Sequence, residues 1–346
     1  MAAYVLSNGV VAGLLALGAF AAWRASRSAL WREAGRELLR RRPIALAVVG
    51  VFVALALMDA VSWMAAPPTE AQLASGEALA LRKPRSLVDR LFPADFQERS
   101  YSAPLADVEF YGGRPLRHPG RHLLGTDILG RDVLHLTLKG ARVALLVGGL
   151  TSLIVIPLAL LFGVAAGYLG GRVDDAIFFL MSTLASMPSV LLLIALIIAL
   201  GRGPLQVCVA LGITGWVGFA RIARGETLKL RELDYVQAAR SLGLSETRIV
   251  LRHVLPNLMH LVVITFVLLF SGLVLSEAVL SWLGLGIDGS WGQMIDQARN
   301  ELSRDPIIVW NLAAASTALF TLILAVNLVG DAVRDILDPR TLKERR

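Results

Sequence analysis

Asp127 and Asp132 stand five positions apart in the string LGTDILGRD (124–132), with Arg131 between them. Two carboxylates at short spacing are raw material for general acid–base chemistry, but they need a nucleophile or a metal to work with. No such partner is legible beside them. Gly125 and Gly130 instead suit tight turns in which Asp127, Arg131 and Asp132 pair locally, or a surface that contacts another protein. Two more acids, Glu277 and Asp59, sit within apolar runs, where an ionisable group is costly and faces a cavity or a partner. Glu277 reads either as gate lining or a contact for a substrate amine, or as a carboxyl bonded to Ser276, Ser281 or neighbouring backbone. Asp59 lies nearer an interface that water can reach. Cys208 is the only cysteine, so neither an intramolecular disulfide nor a Cys/His metal spacing exists. The chain holds no G-x4-G-K-[ST] phosphate loop, no H-E-x-x-H, no G-x-S-x-G and no CxxC. The expectation is no catalytic residue, no metal and no cofactor in this chain, with any ATP hydrolysed by another protein.

The elements that position these residues are set by the bilayer. Of 346 residues, 55% are hydrophobic and 18% charged. The apolar residues gather in seven runs, near 4–23, 44–65, 143–168, 176–200, 204–220, 259–283 and 308–330. Each is close to the ~20 residues a helix needs to cross ~30 Å of hydrocarbon. Helices are required there because lipid cannot solvate open backbone groups. The fold class is therefore an all-α polytopic membrane protein. The first run has no Lys or Arg before it and a basic stretch after it, which suits an uncleaved span better than a signal peptide. Pro157 and Pro188, the latter followed by Ser189, fall within runs and can kink helices toward a pathway. Trp282, Trp291 and Trp310 suit anchors at the outer interface.

Charge gives the orientation. Seven Lys/Arg lie in 24–42, seven in 221–258, five after 330 and one, Arg172, in the link 169–175. Alternating spans place all four stretches on one side. The two short links opposite carry only Arg202, Arg299 and Arg304. The positive-inside rule makes the basic side cytoplasmic, with the N-terminus outside and the C-terminus inside. The net charge of +7 thus reads as a basic membrane face rather than a nucleic-acid surface. Segments 1–43, 44–142 and 143–346 organise the chain as an extra span with a basic linker, a first core span with a large outer segment, and the core. Within the outer segment, apolar positions from Ile128 to Leu138 suit a short surface helix leading into the next span.

Between two spans, 221–258 forms a basic insert. Asp234 can cap a helix starting at Tyr235, and Gly243 can end it in a left-handed cap. Ala238 and Ala239 are small enough for a partner to approach the backbone. Ser245 and Glu246 suit the start of a second helix, and Pro256, after Leu255, marks a break before the next span. Such a knob fits a cleft in a motor protein, whose closure would rock membrane helices.

The spacing Ala-Ala-x3-Gly-x11-Leu-Pro (238–256) resembles the EAA loop of binding-protein-dependent ABC importers. Gln237 stands where that family usually has Glu, and His253 where it usually has Ile. The string DYVQAARSLGLSETRIVLRHVLPN is similar to the dipeptide/oligopeptide/nickel branch. HLLGTDILGRDVL (122–134), GYLGGRVDD (167–175), SWLGLGI and SWGQM (281–294), and NLVGDAVRDILDPR (327–340) agree with it, in the order of the C-type second permease. The resemblance covers about 120–340. It implies a six-span type I importer core in the bacterial inner membrane, with 4–23 as an extra span. It also implies a second homologous permease as heterodimer partner, two cytoplasmic ATPases holding ATP and Mg, and an extracytoplasmic substrate-binding protein. On this reading Asp234, Tyr235, Ala238, Ala239, Gly243, Leu255 and Pro256 couple to the ATPase. Glu277, Pro188 and Ser189 line the pathway or gate, and Asp127, Arg131 and Asp132 face the outer partner. A stand-alone secondary transporter or a membrane enzyme or scaffold are the competing readings. The first would need ion sites near the midplane, which Glu277 and Asp59 do not supply. The second would need a catalytic cluster in 66–142.

Overall fold

A computed structural model describes residues 8, 9, 12, 13, 16–20, 23, 27, 29–63, 85–93 and 96–337. The run 4–23 lies largely outside the described residues. The helices are α1 (Ala29–Arg41), α2 (Pro43–Ala60), α3 (Val133–Leu169), α4 (Gly171–Ser186), α5 (Ser189–Leu200), α6 (Pro204–Arg231), α7 (Asp234–Ser241), α8 (Glu246–Ile249), α9 (Leu255–Trp282), α10 (Trp291–Glu301) and α11 (Trp310–Leu337). A two-residue ribbon pairs Ser62–Trp63 (β1) with Arg85–Ser86 (β2).

Five helical stretches are long and apolar enough to span a bilayer, and α4 with α5 makes a sixth if that pair is one span. The α4–α5 pair bends by 93° where Met187 and Pro188 interrupt it. The kink expected at Pro188 is thus a full break. Pro188 has no amide to donate, and the residue before proline is pushed out of the helical region.

Helix ends reach beyond the apolar runs. The helix expected to begin at 143 begins at Val133, so the expected surface helix and the span are one 37-residue helix, α3. Asp132 sets its start by accepting from the His135 amide at 2.8 Å. α6 likewise continues past 220 to Arg231. Its polar extension is held by a two-point Arg224–Asp174 pair at 2.6 and 2.7 Å. The insert is therefore mostly helix, and its true loops are short.

α3 and α6 form the centre of the fold, and glycine lets them touch. A Cβ at Gly163 would stand 2.5 Å from the Ala220 carbonyl oxygen, and one at Gly167 2.7 Å from that of Arg224. Small residues at a helix–helix contact let van der Waals packing act where no hydrophobic drive exists between lipid-bathed helices. Around this axis, Val147, Cys208 and Leu280 pack in one cluster, and Phe270, Trp291 and Leu322 in another.

Two tryptophans expected at the lipid interface belong to this packing. Trp291 is buried and donates its indole N–H to the Thr137 carbonyl at 2.8 Å, and Trp310 donates to Thr126 at 2.9 Å. The first carbonyl lies early in α3 and the second in the turn before it. Trp282 is exposed, as an interface anchor would be. Asp59 also departs from expectation. It is buried, 3.6 Å from Lys139 Nζ and 3.5 Å from Arg142 Nη1, so paired cations rather than water offset its charge.

Candidate functional site

The knob begins where α6 ends. Leu233 is extended and α7 starts at Asp234, whose side chain makes no cap bond. The expected Asp234 cap is absent: Asp234 occupies the first turn, where its charge still favours the helix dipole. Gln237 closes the α6 end by donating to the Arg231 carbonyl at 3.1 Å. An ionised glutamate, the family's usual residue there, could only accept and could not make that bond.

α7 ends in a Schellman turn. Gly243 has φ +78°, its amide donates to Arg240 at 3.0 Å, and the Leu244 amide reaches Ala239 at 3.2 Å. Ser245 starts α8 with extended backbone but makes no side-chain cap bond. The break expected at Pro256 is instead a π turn at Val250–Val254 in which the Leu255 amide donates to Val250. Widening the helix by one residue accommodates a proline that cannot donate, so α8, the turn and α9 run on as one stretch.

The knob is braced against the core. Val236, Ala239, Ile249, Val254 and Leu258 pack with Val164, Tyr168 and Leu230, with Leu255 against their edge. The Tyr168 hydroxyl donates to Glu246, which also takes Arg240 at 3.4 Å. Asn257 donates to the Tyr235 hydroxyl at 3.0 Å and to the His253 carbonyl at 2.6 Å. The two alanines therefore have opposite jobs. Ala239 faces inward and lets α7 lie close to the core, while Ala238 faces solvent. Pro256 and Gly243 are exposed as well. The exposed face also carries Leu233, Tyr235, Leu251 and Leu242, the last 81% exposed. Leu242 is absent from the family spacing, and its signal in the sequence is an apolar residue one position before a helix-ending glycine.

Glu277 is buried in α9. It accepts from Ser281 Oγ at 2.6 Å and from the Ile287 amide at 3.3 Å, while Ser276 bonds its own helix at Gly272. Gly286 closes against Ser281, where a Cβ would fall 1.6 Å from Oγ. Ser281 lines a cavity of about 350 Å³ together with Arg202, Gln293 and Asp296. Glu277 sits one hydrogen bond behind that wall. Ser189 is exposed at the start of α5, beside Pro188 at the bend.

At the far end from the knob, Asp127 is wholly buried and accepts from the amides of Leu129 and Arg131 at 2.9 and 2.8 Å and from the Arg131 guanidinium at 2.6 Å. Asp132 caps α3 and lies 2.8 Å from His122 Nδ1. Both acids serve the turn itself. Arg131, Leu123, Ile128 and Leu129 remain at the surface. His122 corrects the expectation that Asp132 has no partner with chemistry of its own.

Two further groups of titratable side chains lie here. Asp89 binds His135 at 2.7 Å and Lys139 at 2.8 Å; burial raises its carboxyl, but those bonds, the Ser86 amide and the Lys139 charge together outweigh it and hold it well below the usual range. Glu98, His118 and His122 offer three ligand atoms within 4.8 Å of one another. His118 and His122 stand at the H-x3-H spacing of metal-binding histidines, a signal the sequence reading missed, and the fold adds Glu98 to them.

Residues 159–343 match the family described as binding-protein-dependent transport system inner membrane component. Among curated proteins, the oligopeptide transport system permease protein OppC of Bacillus subtilis is 34% identical over 225 residues, 64% of this chain and 73% of that one. The dipeptide transport system permease protein DppC of the same organism is 36% identical over 63% of this chain and 69% of its own length. The glutathione transport system permease protein GsiD of Pectobacterium atrosepticum is 36% identical over 63% and 73%. With the knob, the broken span and this match in one chain, the protein belongs to the family of inner-membrane permease subunits of binding-protein-dependent ABC importers, a non-catalytic, multi-pass component.

Proposed function

We propose that this chain forms half of the translocation pathway for peptides or related small solutes and receives mechanical work through residues 234–256. The observation that carries this reading is the knob. Its inner face packs on α3, α6 and α9 through Ala239, with Tyr168 and Asn257 bracing its edges, while its outer face presents Ala238, Tyr235 and an exposed Leu242. A rigid body with one free apolar face transmits displacement rather than absorbing it. The names of the relatives favour peptide cargo.

In this reading two ATPase subunits hold ATP and Mg and grip the knob from the cytoplasm. A second, homologous permease completes a heterodimeric pathway. A substrate-binding protein delivers cargo to the opposite face, where Arg131, Ile128 and Leu129 stand out beside the turn built by Asp127 and Asp132. Basic residues 24–42 and 221–258 then face the cytoplasm, with the N-terminus outside, the C-terminus inside and 4–23 as an extra span. Segments 1–43, 44–142 and 143–346 serve as the extra span with its linker, the outer elaboration and the working core. The bend at Pro188–Ser189 and the buried Glu277 flank the pathway, and closure of the ATPases moves α6 and the α8–α9 stretch against them.

The test is reconstitution of this chain with its companion permease, ATPases and binding protein in proteoliposomes. Accumulation of a labelled peptide should require ATP and every component. Accumulation by this chain alone, driven by an ion gradient, would replace the proposal with a secondary transporter.

A further inference from the structure

We infer that Glu98, His118 and His122 form a zinc-type divalent metal site that ties the segment before α3 to the start of that helix. The three residues come from two stretches of chain and converge through backbone turns. Glu98 Oε1 lies 3.3 Å from His118 Nδ1 and 3.3 Å from His122 Nε2, and all three ligand atoms fall within 4.8 Å of one another. A tetrahedral ion with bonds of about 2.0–2.1 Å has ligand–ligand edges of about 3.3–3.4 Å. The two contacts match those edges. They are also longer than the ~2.7–2.9 Å of a charge-assisted hydrogen bond between a cationic N–H and a carboxylate.

The orientation of His122 points the same way. His122 is fully buried, and its Nδ1 lies 2.8 Å from Asp132 Oδ2. The Asp132 contact at Nδ1 orients the ring so that Nε2 faces Glu98 Oε1, the position from which a neutral imidazole binds a metal. A metal ion between these two atoms holds the approach together, as a proton on Nε2 does when no metal is bound. Glu98 Oε1 already accepts the His118 amide at 2.9 Å, and Oε2 accepts the Arg117 amide at 2.9 Å, so the carboxylate is fixed in place. Two imidazoles and one carboxylate suit zinc, whereas magnesium and calcium favour oxygen cages. The His122–Asp132 contact is the outer carboxylate that such a histidine ligand usually has.

The surroundings suit a structural or regulatory ion with one open position. The Phe96 ring lies 4.3 Å from the His122 ring and 5.3 Å from that of His118, an apolar wall. The His118 side chain is 20% exposed, which leaves access for the ion and a water as fourth ligand. From the ion, contacts run through His122 to Asp132 and on to the His135 amide in the first turn of α3. Bound zinc would thus clamp the outer end of the longest core helix. This inference does not depend on the cargo.

The full-length chain, purified in detergent and stripped with a chelator, tests it by zinc titration in competition with a chromophoric chelator. X-ray absorption supplies the ligand distances. The expected result is one zinc per chain, N/O ligands at about 2.0–2.1 Å, no competition from millimolar magnesium or calcium, and a zinc-dependent rise in unfolding temperature. His118→Ala should weaken binding at least about 100-fold, at the upper end of or beyond losses seen for lesser changes in the surrounding shell, and abolish that rise. Glu98→Gln, which keeps an oxygen acceptor for one of the two backbone amides, should do the same, and His260→Asn should leave both unchanged. Absence of stoichiometric binding by about 100 µM free zinc, or binding that survives His118→Ala and Glu98→Gln, would overturn the assignment and leave an imidazolium at His122 as the cation.

Discussion

Leu242 gives the sharpest handle on the knob. It is 81% exposed at the end of α7, beside Gly243, and no described residue covers it. Fully burying a leucine contributes about 1.5–3 kcal/mol, near 0.8 kcal/mol for each buried carbon. Truncation to alanine removes three carbons, worth about 2.4 kcal/mol when fully buried. Scaled by the exposed fraction, Leu242→Ala should weaken a partner that covers it by about 2 kcal/mol, close to 30-fold in Kd. The isolated chain should unfold within about 0.5 kcal/mol of wild type, because a lone surface side chain stabilises little. The assay is titration of the ATPase subunit onto the permease pair in nanodiscs, read as binding and as the concentration giving half-maximal ATP hydrolysis. A Kd within twofold of wild type would refute the idea that this tip is gripped. A large fall in the chain's own unfolding temperature would refute the claim that Leu242 plays no part in its fold.

Other expectations follow from the same geometry. Gly163→Ala should destabilise the chain by about 1–3 kcal/mol by overpacking, read as thermal unfolding in detergent, because its Cβ would meet the Ala220 carbonyl at 2.5 Å. Gly218→Ala, with open space around it, should not. Tyr168→Phe removes the hydroxyl that donates to Glu246, so amide exchange across 234–249 should quicken several-fold while the rest of α3 stays protected. Asp89 has its folded carboxyl depressed below the unfolded value of about 3.9, so its stabilisation is present above that pH and is lost as pH falls toward the folded value. The gap in unfolding temperature between wild type and Asp89→Asn should therefore be full at pH 7 and close below about pH 4. A gap that widens in acid would reverse the assignment.

Where the sequence was readable, one physical signal dominated. Apolar runs mark the part of a helix that lipid touches, and the described spans sit where those runs lie. They do not mark helix ends, because 133–142 and 221–231 continue as helix through polar residues held by Asp132 and the Arg224–Asp174 pair. Trp291 and Trp310 were misread because an indole satisfied by a buried carbonyl has the same letter as one at the lipid interface. Pro256 implied a break, but a π turn gave the missing donor a different solution. The spacing of the knob showed where α7 starts and ends and where α8 starts. It did not show that Ala239 turns inward and Ala238 outward, since that depends on how α7 docks against Tyr168 and Leu230. His118 and His122 carry a legible H-x3-H spacing, but Glu98 lies 20 and 24 positions before them, across turns that no periodicity records.

The central claim is that 234–256 is the surface a partner ATPase grips. Cys208 is the only cysteine and is buried, so single cysteines placed elsewhere report cleanly. Ala238→Cys and Leu242→Cys, on the exposed face, should each cross-link to the ATPase subunit in membrane vesicles, with yields that change as ATP is added. Ala239→Cys, facing inward, should not, and neither should Val108→Cys, which is exposed before α3. Capture of the ATPase by Val108→Cys, or none by Ala238→Cys and Leu242→Cys in an assembled complex, would contradict the account.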